Sequence, residues 1–269
     1  MKQYGHVKKI MLTGMLGAIV LSGAGCTTFQ KKEQAPSDND SHQVASVDKV
    51  KEEEPEVELK EVPLVVDYTK SATEILAYYT EEGMSRFKLS YPDTYSMEYA
   101  LKNIGRKMPS FSGKDLNGKT VSSKDFEGKS YIVNVSKSTC EVCTELAPVI
   151  QNLEKNADEI PVINMYPIDD SKEVKAYRKK TKWSHDSLVL VGDENKSIKN
   201  LAIKELSVET VPTLLFVDKS GRISYINIGL TDDMLLNDMK EKAFGSEKLY
   251  DFVKKEVVKV KADEELSKQ

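Results

Sequence analysis

Two cysteines lie three positions apart in Cys140-Glu141-Val142-Cys143, where an apolar run that reads as a buried strand, Tyr131 to Val135, gives way to a helical stretch from Glu141 to about Asn156. A thiol at the start of a helix faces unpaired N–H groups and about half a positive charge, which favours its ionised form. Cysteines in such settings have pKa values lowered from about 8.5 to between about 3.5 and 7.5, so Cys140 is the expected nucleophile. Cys143, one turn into the helix and less accessible, is the expected resolving thiol. Ring size points to the same use: closing a loop of about four residues gains roughly 2 kcal/mol in the chain-entropy model, against about 4.7 kcal/mol for 100 residues. A bond that stabilises so little suits opening and closing. The competing readings are a purely structural bond and a metal site. A structural zinc wants four ligands, and this stretch offers two, while the three histidines are His6, His42 and His185. Thr144 stands where a haem-attachment motif has His. No metal and no cofactor are therefore expected.

The third cysteine, Cys26, follows an amino-terminal stretch in which Lys2, Lys8 and Lys9 precede an uncharged apolar run from Ile10 to Gly25. This is the layout of a secretory signal. At 1.5 Å per residue the run reaches about 24 Å, short of a hydrocarbon core of roughly 30 Å, so residues 1–25 are read as cleaved rather than membrane-spanning. Leu21-Ser22-Gly23-Ala24-Gly25-Cys26 resembles a bacterial lipoprotein lipobox, departing from it at Gly23, where an aliphatic residue is usual. That resemblance implies that Cys26 is lipidated and becomes the new amino terminus. Two acyl chains suffice for stable anchoring where one is marginal. With Cys26 so used, Cys140 and Cys143 can pair only with each other.

The 269 residues carry 39 Lys and Arg against 43 Asp and Glu, a net charge of -4, and removal of residues 1–25 takes away three of the lysines and no acid. Such a balance argues against nucleic acid as a partner, because affinity for phosphate grows with basic contacts, and against reliance on anionic lipid. From Thr27 to Pro63 the chain is rich in Lys, Glu, Gln, Ser and Asp without apolar periodicity, and residues 26–63 read as the lipidated cysteine and a disordered tether. Its mean reach is on the order of 30 to 35 Å. Residues 64–107 read as a small helical segment. Ser71 to Glu74 has capping-box spacing and opens a helix ending near Gly83, and a second helix spans Thr94 to Asn103 with Gly105 as its stop. Tyr68, Tyr78, Tyr79, Tyr91, Tyr95 and Tyr99 crowd this segment. They either pack it onto the domain C-terminal to it or form a surface for a docking partner.

Beyond residue 107, strands and helices alternate. Asn117-Gly118 signals a hairpin with a tight primed turn. Strands are expected at 131–135, 161–166 and 187–191, with helices at 141–156, 171–180 and 195–206 as crossovers between parallel strands. Thr213 to Val217 and Arg222 to Ile228 read as an antiparallel hairpin. A last helix is expected from Thr231 or Asp232 towards Val258, with Gly245 as a point where it can break, and a charged tail at 259–269.

From Met108 to Lys255 the chain resembles the thioredoxin superfamily, specifically the membrane-anchored TlpA-like and ResA-like thiol-disulfide oxidoreductases of bacteria. The resemblance is carried by Asp115-Leu116-Asn117-Gly118-Lys119 as the leading hairpin, Tyr131 to Cys143 as strand and active-site turn, Pro148 as the helix-kinking proline, and Val211-Pro212-Thr213 as the cis-proline loop. It implies an α/β domain over 108–258, a thioredoxin-like fold with a mixed central sheet and helices on both faces. It also implies that Val211 and Pro212 lie beside the disulfide and that Val211 offers backbone groups to an extended substrate peptide, giving affinity with little sequence specificity. Glu141 sits where ResA-like members carry a glutamate, as a proton relay or a complement to the helix end. Thr139 replaces the usual Trp, and Asn134 occupies the position of thioredoxin's buried acid. Lys137 either raises the local positive potential or is a solvated surface lysine. Trp183 is expected to pack, and nothing assigns His185 to catalysis.

These readings converge on a lipid-anchored extracytoplasmic enzyme that exchanges disulfides with exported proteins and trades electrons with a membrane redox partner. A redox-silent scaffold on the same fold is the first rival. A peroxide-reducing enzyme is the second, disfavoured because its cysteine usually follows a Pro-x-x-x-Thr/Ser-x-x pattern and Ser130 to Thr139 contains no proline.

Overall fold

The computed structural model describes residues 58–155, 160–183, 187–193 and 195–260. The signal, Cys26, most of the expected tether, His185 and most of the expected tail lie outside the described residues.

The described chain begins with a strand, β1 (Glu58–Pro63), paired antiparallel with the last strand, Lys255–Val260. This pairing corrects two expectations together: the end of the tether is a strand, and the last helix does not run to Val258. Neither segment makes sense alone. Lys255-Glu256-Val257-Val258-Lys259-Val260 is rich in β-branched residues, and its complement of charge, Glu58-Leu59-Lys60-Glu61, lies almost two hundred residues earlier, with Lys255 Nζ 3.6 Å from a Glu61 carboxylate oxygen.

Three helices come after β1. In α1 (Ala72–Leu76) the expected capping box is present, Ser71 Oγ accepting from the Glu74 N–H at 3.4 Å while Glu74 accepts from the Ser71 N–H at 3.1 Å. It does not continue to Gly83. Thr80 restarts the chain as the cap of α2 (Glu81–Ser90), after Tyr79 has bridged to Val253 and the Thr80 N–H has bonded to the Phe252 carbonyl at 2.9 Å. Gly83 therefore stops nothing. It sits in the first turn of α2 because a Cβ there would come 2.7 Å from Phe252 Cβ. Asp93 caps α3 (Thr94–Asn103), which Gly105 succeeds at φ 88°.

A short hairpin, β2 (Ser112–Lys114) and β3 (Thr120–Ser122), comes next. Its turn departs from the primed type expected: Gly118 has positive φ, but Asn117 does not. Asp115 organises it instead, its Oδ1 accepting from the N–H groups of Asn117 at 2.9 Å and Lys119 at 2.8 Å.

The central sheet then assembles from β4 (Tyr131–Val135), β5 (Val162–Tyr166), β6 (Leu188–Val191), β7 (Thr213–Val217) and β8 (Ile223–Ile228) in the order β6-β5-β4-β7-β8. Strands β6, β5 and β4 run parallel, and β7 and β8 are antiparallel to their neighbours. Between them lie α4 (Glu141–Lys155), α5 (Ser171–Lys180) and α6 (Lys196–Asn200), the last passing into a π-helical turn at Leu201–Glu205. Every residue of β4, β5 and β7 is buried, as central strands covered on both faces require. This is the thioredoxin-like fold. The chain closes with α7 (Asp233–Phe244), ended at Gly245, a 3-10 turn at Leu249–Phe252, and β9 (Lys255–Val260).

The tyrosines of the helical segment mostly pack. Tyr79, Tyr91 and Tyr99 are buried in the same apolar cluster as the sheet. Tyr91 also completes the sheet's edge, its hydroxyl donating to the Ile226 carbonyl and accepting from the Ile226 N–H, both at 3.1 Å.

Candidate active site

Cys140 ends the loop from β4 and Cys143 lies in the first turn of α4; they form a disulfide with Cα atoms 5.2 Å apart. The Cys143 N–H, one of the unpaired amides of the helix start, points at Cys140 Sγ from 3.0 Å. Cys140 is partly accessible, whereas Cys143 is only 3% exposed. From the opposite side the Val211 carbonyl oxygen approaches Cys140 Sγ to 3.7 Å, and the Val211–Pro212 peptide bond is cis. Cys140, Cys143, Val211 and Pro212, the residues expected from the sequence, are thus brought together across 71 positions of chain. Pro148 lies inside α4, where it cannot donate to the carbonyl one turn back.

The loop is held from several sides. Ser136 N–H continues the ladder to β5 through the Met165 carbonyl at 2.8 Å, and the Lys137 carbonyl accepts from the Cys140 N–H at 3.2 Å. Lys137 therefore enters the site through its backbone, its side chain being half-buried. Glu141 is exposed in the first turn of α4, where a carboxylate complements the positive helix end. Thr144 Oγ1 donates to the Cys140 carbonyl at 3.0 Å, and the Tyr177 hydroxyl donates to the Cys143 carbonyl at 2.8 Å. Burial pushes the Tyr177 phenol up to about 12.

Two polar arrangements accompany the loop, of which the sequence singles out only Asn134 and Trp183. Asp169, 2% exposed, lies just past β5 and takes both the Ser138 N–H, at 3.1 Å, and the Ser138 hydroxyl on its Oδ1. Its Oδ2 is buried without a hydrogen-bond partner. The second is a chain of side chains. Asn134, in the position of thioredoxin's buried acid, donates to Asn164 Oδ1 at 2.8 Å; Asn164 donates to Glu154 Oε1 at 2.6 Å; and Trp183 Nε1 donates to Glu154 Oε2 at 2.6 Å. Trp183 thus packs, as expected, and also anchors a carboxylate. The signal that could have found Asp169 is its place after the carboxyl end of a parallel strand next to β4, where sites of open α/β sheets gather.

Among the described residues no group of three or more His, Cys, Asp or Glu side chains is placed to hold a metal ion, and no helix is long and apolar enough to cross a membrane.

Residues 104–226, somewhat under half of the chain, match the AhpC/TSA family. The chain is 27% identical over 135 residues to the thiol-disulfide oxidoreductase ResA of Bacillus cereus, covering 49% of this chain and 73% of that protein. It is 27% identical over 122 residues to the ResA of Bacillus thuringiensis subsp. konkukian, covering 45% of this chain and just under two thirds, 66%, of that protein. Among solved structures, StoA from Bacillus subtilis aligns with a TM-score of 0.42 and 19% identity over 50% of this chain and 98% of that one.

Proposed function

We propose that this chain is a thiol-disulfide oxidoreductase in which Cys140 is the nucleophile and Cys143 the resolving thiol. The observation that carries the reading is the Cys143 amide aimed at Cys140 Sγ from 3.0 Å, with Cys143 itself covered. A helix-start amide stabilises the Cys140 thiolate relative to the thiol. The resolving sulfur is kept from outside partners but lies one turn from the bond it must attack. The named activity of the two ResA relatives supports the same chemistry.

In the reducing direction, the Cys140 thiolate attacks one sulfur of a client disulfide. A Cys140–client S–S bond forms, the client bond breaks, and the departing client sulfur leaves as a thiolate. Cys143, deprotonated, then attacks Cys140 Sγ, forming the Cys140–Cys143 bond and releasing the second client sulfur. The client gains two electrons, the enzyme loses two, and the client thiolates take up two protons, one equivalent to that lost by Cys143 and the other from solvent. The reverse sequence inserts a bond. Val211, with its backbone beside Cys140, is the point where an extended client pairs strand-fashion, with Pro212 fixing the loop.

The clients are exported proteins carrying thiols or disulfides. Lipidated Cys26 holds the enzyme on the extracytoplasmic face of the cell membrane, and a membrane redox partner restores its oxidation state. Cys143→Ser should accumulate mixed disulfides through Cys140, seen as reducible high-mass bands, and Cys140→Ser should accumulate none. Recovery of no adduct from Cys143→Ser, either in cells or with a disulfide peptide, would favour a redox-silent scaffold. For the anchor, Cys26→Ala should abolish labelling by a fatty-acid probe and release the protein from membranes.

A further inference from the structure

We propose that Tyr95, in the first turn of α3, is a specificity-determining residue that receives an apolar or aromatic client side chain next to the client's reacting cysteine; the proposal rests on the disulfide-exchange reading above.

The loop from Leu206 to Val211 delivers Val211 to Cys140, and α3 fastens that loop at two points. Deeper, the Tyr99 hydroxyl donates to the Leu206 carbonyl at 2.9 Å, with Tyr99 only 9% exposed. At the surface, Thr210 Oγ1 donates to the Tyr95 hydroxyl at 3.1 Å. Thr213 Oγ1, bonded to the Thr210 carbonyl at 2.6 Å, closes the loop from the sheet side. The two rings are stacked, with centroids 6.5 Å apart and planes 18° from parallel. The inner ring is committed to packing and fixes the outer one, which keeps 39% of its surface accessible. A ring held in one orientation and left open binds at little entropic cost.

Position gives that ring its role. Thr210 is one residue before Val211, so a client paired along Val211 sets its next residue beside Thr210 and Tyr95. Exposed apolar side chains also stand on the segments flanking the Cys140–Val211 contact: Val142, between the cysteines, is 38% exposed, and Leu230, 51% exposed, comes after Gly229, whose N–H bonds to the Pro212 carbonyl at 2.9 Å. The Tyr95 hydroxyl is engaged by Thr210, so what it offers a client is the ring. Apolar and aromatic side chains fit that surface, and a carboxylate does not. The segment carrying Tyr95 is therefore part of the client groove as well as of the core.

The test uses the full chain and three disulfide peptides that differ beside the cysteine, with Phe, Lys or Asp, alongside hydroxyethyl disulfide as a substrate too small to span the groove. The wild type should prefer the Phe peptide. Tyr95→Ala should raise its KM by about three- to tenfold, the range of an aromatic contact, with kcat changed less, so that the ratio of peptide to hydroxyethyl disulfide turnover falls. Tyr95→Phe, which keeps the ring and loses the bond to Thr210, should restore most of the preference. Equal KM values for the three peptides, or a Tyr95→Ala variant that loses peptide and hydroxyethyl disulfide turnover in the same proportion, would overturn the proposal while leaving disulfide exchange intact. A preference for the Lys peptide would overturn the apolar assignment. A wild type inert towards all four substrates would overturn both.

Discussion

Ser138, two residues before Cys140, gives its N–H and its hydroxyl to one oxygen of Asp169, so a buried carboxylate joins the backbone bonds of Ser136 and Cys140 in holding the chain ahead of Cys140 Sγ. Asp169→Ala should leave the Ser138 N–H without its acceptor and cost about 1–3 kcal/mol in urea denaturation, while Asp169→Asn, which keeps an acceptor, should cost less. Equal losses would mean that the carboxylate is only filling space. Tyr177 makes a second such tie, and it carries a pH signature. Its folded-state value, raised to about 12 chiefly by burial, lies above the ordinary value of 10, so the folded protein favours the neutral phenol. The stabilisation is fully present below pH 10 and is lost as pH rises towards 12. Tyr177→Phe should lower stability by about 1 kcal/mol at pH 7 and flatten the fall in stability across that alkaline window, read from urea midpoints at a series of pH values. The cysteine pair is legible in the sequence because residue type and close spacing carry its meaning, whereas Val211, 71 residues beyond Cys140, and Pro212 are reached only through the resemblance of Val211-Pro212-Thr213 to a cis-proline loop. Asp169 and Asn164 are not legible, because their partners Ser138 and Asn134 lie 31 and 30 residues away.

Most helices and strands announce themselves through apolar period and caps, although α2 with its Thr80 cap is not among the expected elements and the Asn117-Gly118 turn is not of the expected type. Two further departures share a cause. β1 and β9 are short, charged ribbons whose only recommendation is each other, and no window of sequence contains both. Gly83 has the local look of a helix stop, but the neighbour that explains it is a distant side chain, Phe252. The distinction is measurable. In an exposed helix Gly→Ala gains about 1 kcal/mol. Here a methyl group 2.7 Å from Phe252 Cβ and 3.2 Å from the Phe252 carbonyl oxygen must push α2 away from the 3-10 turn, and overpacking of that kind costs about 1–3 kcal/mol. Gly83→Ala should therefore be net destabilising, with a lowered urea midpoint. A raised midpoint would show that the turn yields freely.

On the scale of the molecule, the parallel strands β4, β5 and β6 with α4 and α5 between them accord with the alternation of strand and helix, which makes a mixed sheet readable from the sequence, while the resemblance carries the thioredoxin-like fold itself. What alternation does not reveal is how the helices at 72–103 join it. Ile75, Tyr79, Phe87, Tyr91 and Leu101 belong to the sheet's own apolar cluster, and Tyr91 occupies the backbone groups of Ile226 on the edge strand β8. A protein begun at Met108 should expose that edge and those apolar surfaces, melt well below the longer form and associate, as size-exclusion chromatography would show; a monomer of equal melting temperature would refute this. The β1–β9 pairing has a further consequence. Glu58 lies opposite Val260, so the first and last described strands run side by side. A few added residues could splice those two positions, and fresh termini could be opened in the exposed bend around Gly118, yielding a circular permutant that gives up the Asp115 turn bonds and keeps the central sheet and the Cys140–Val211 contact.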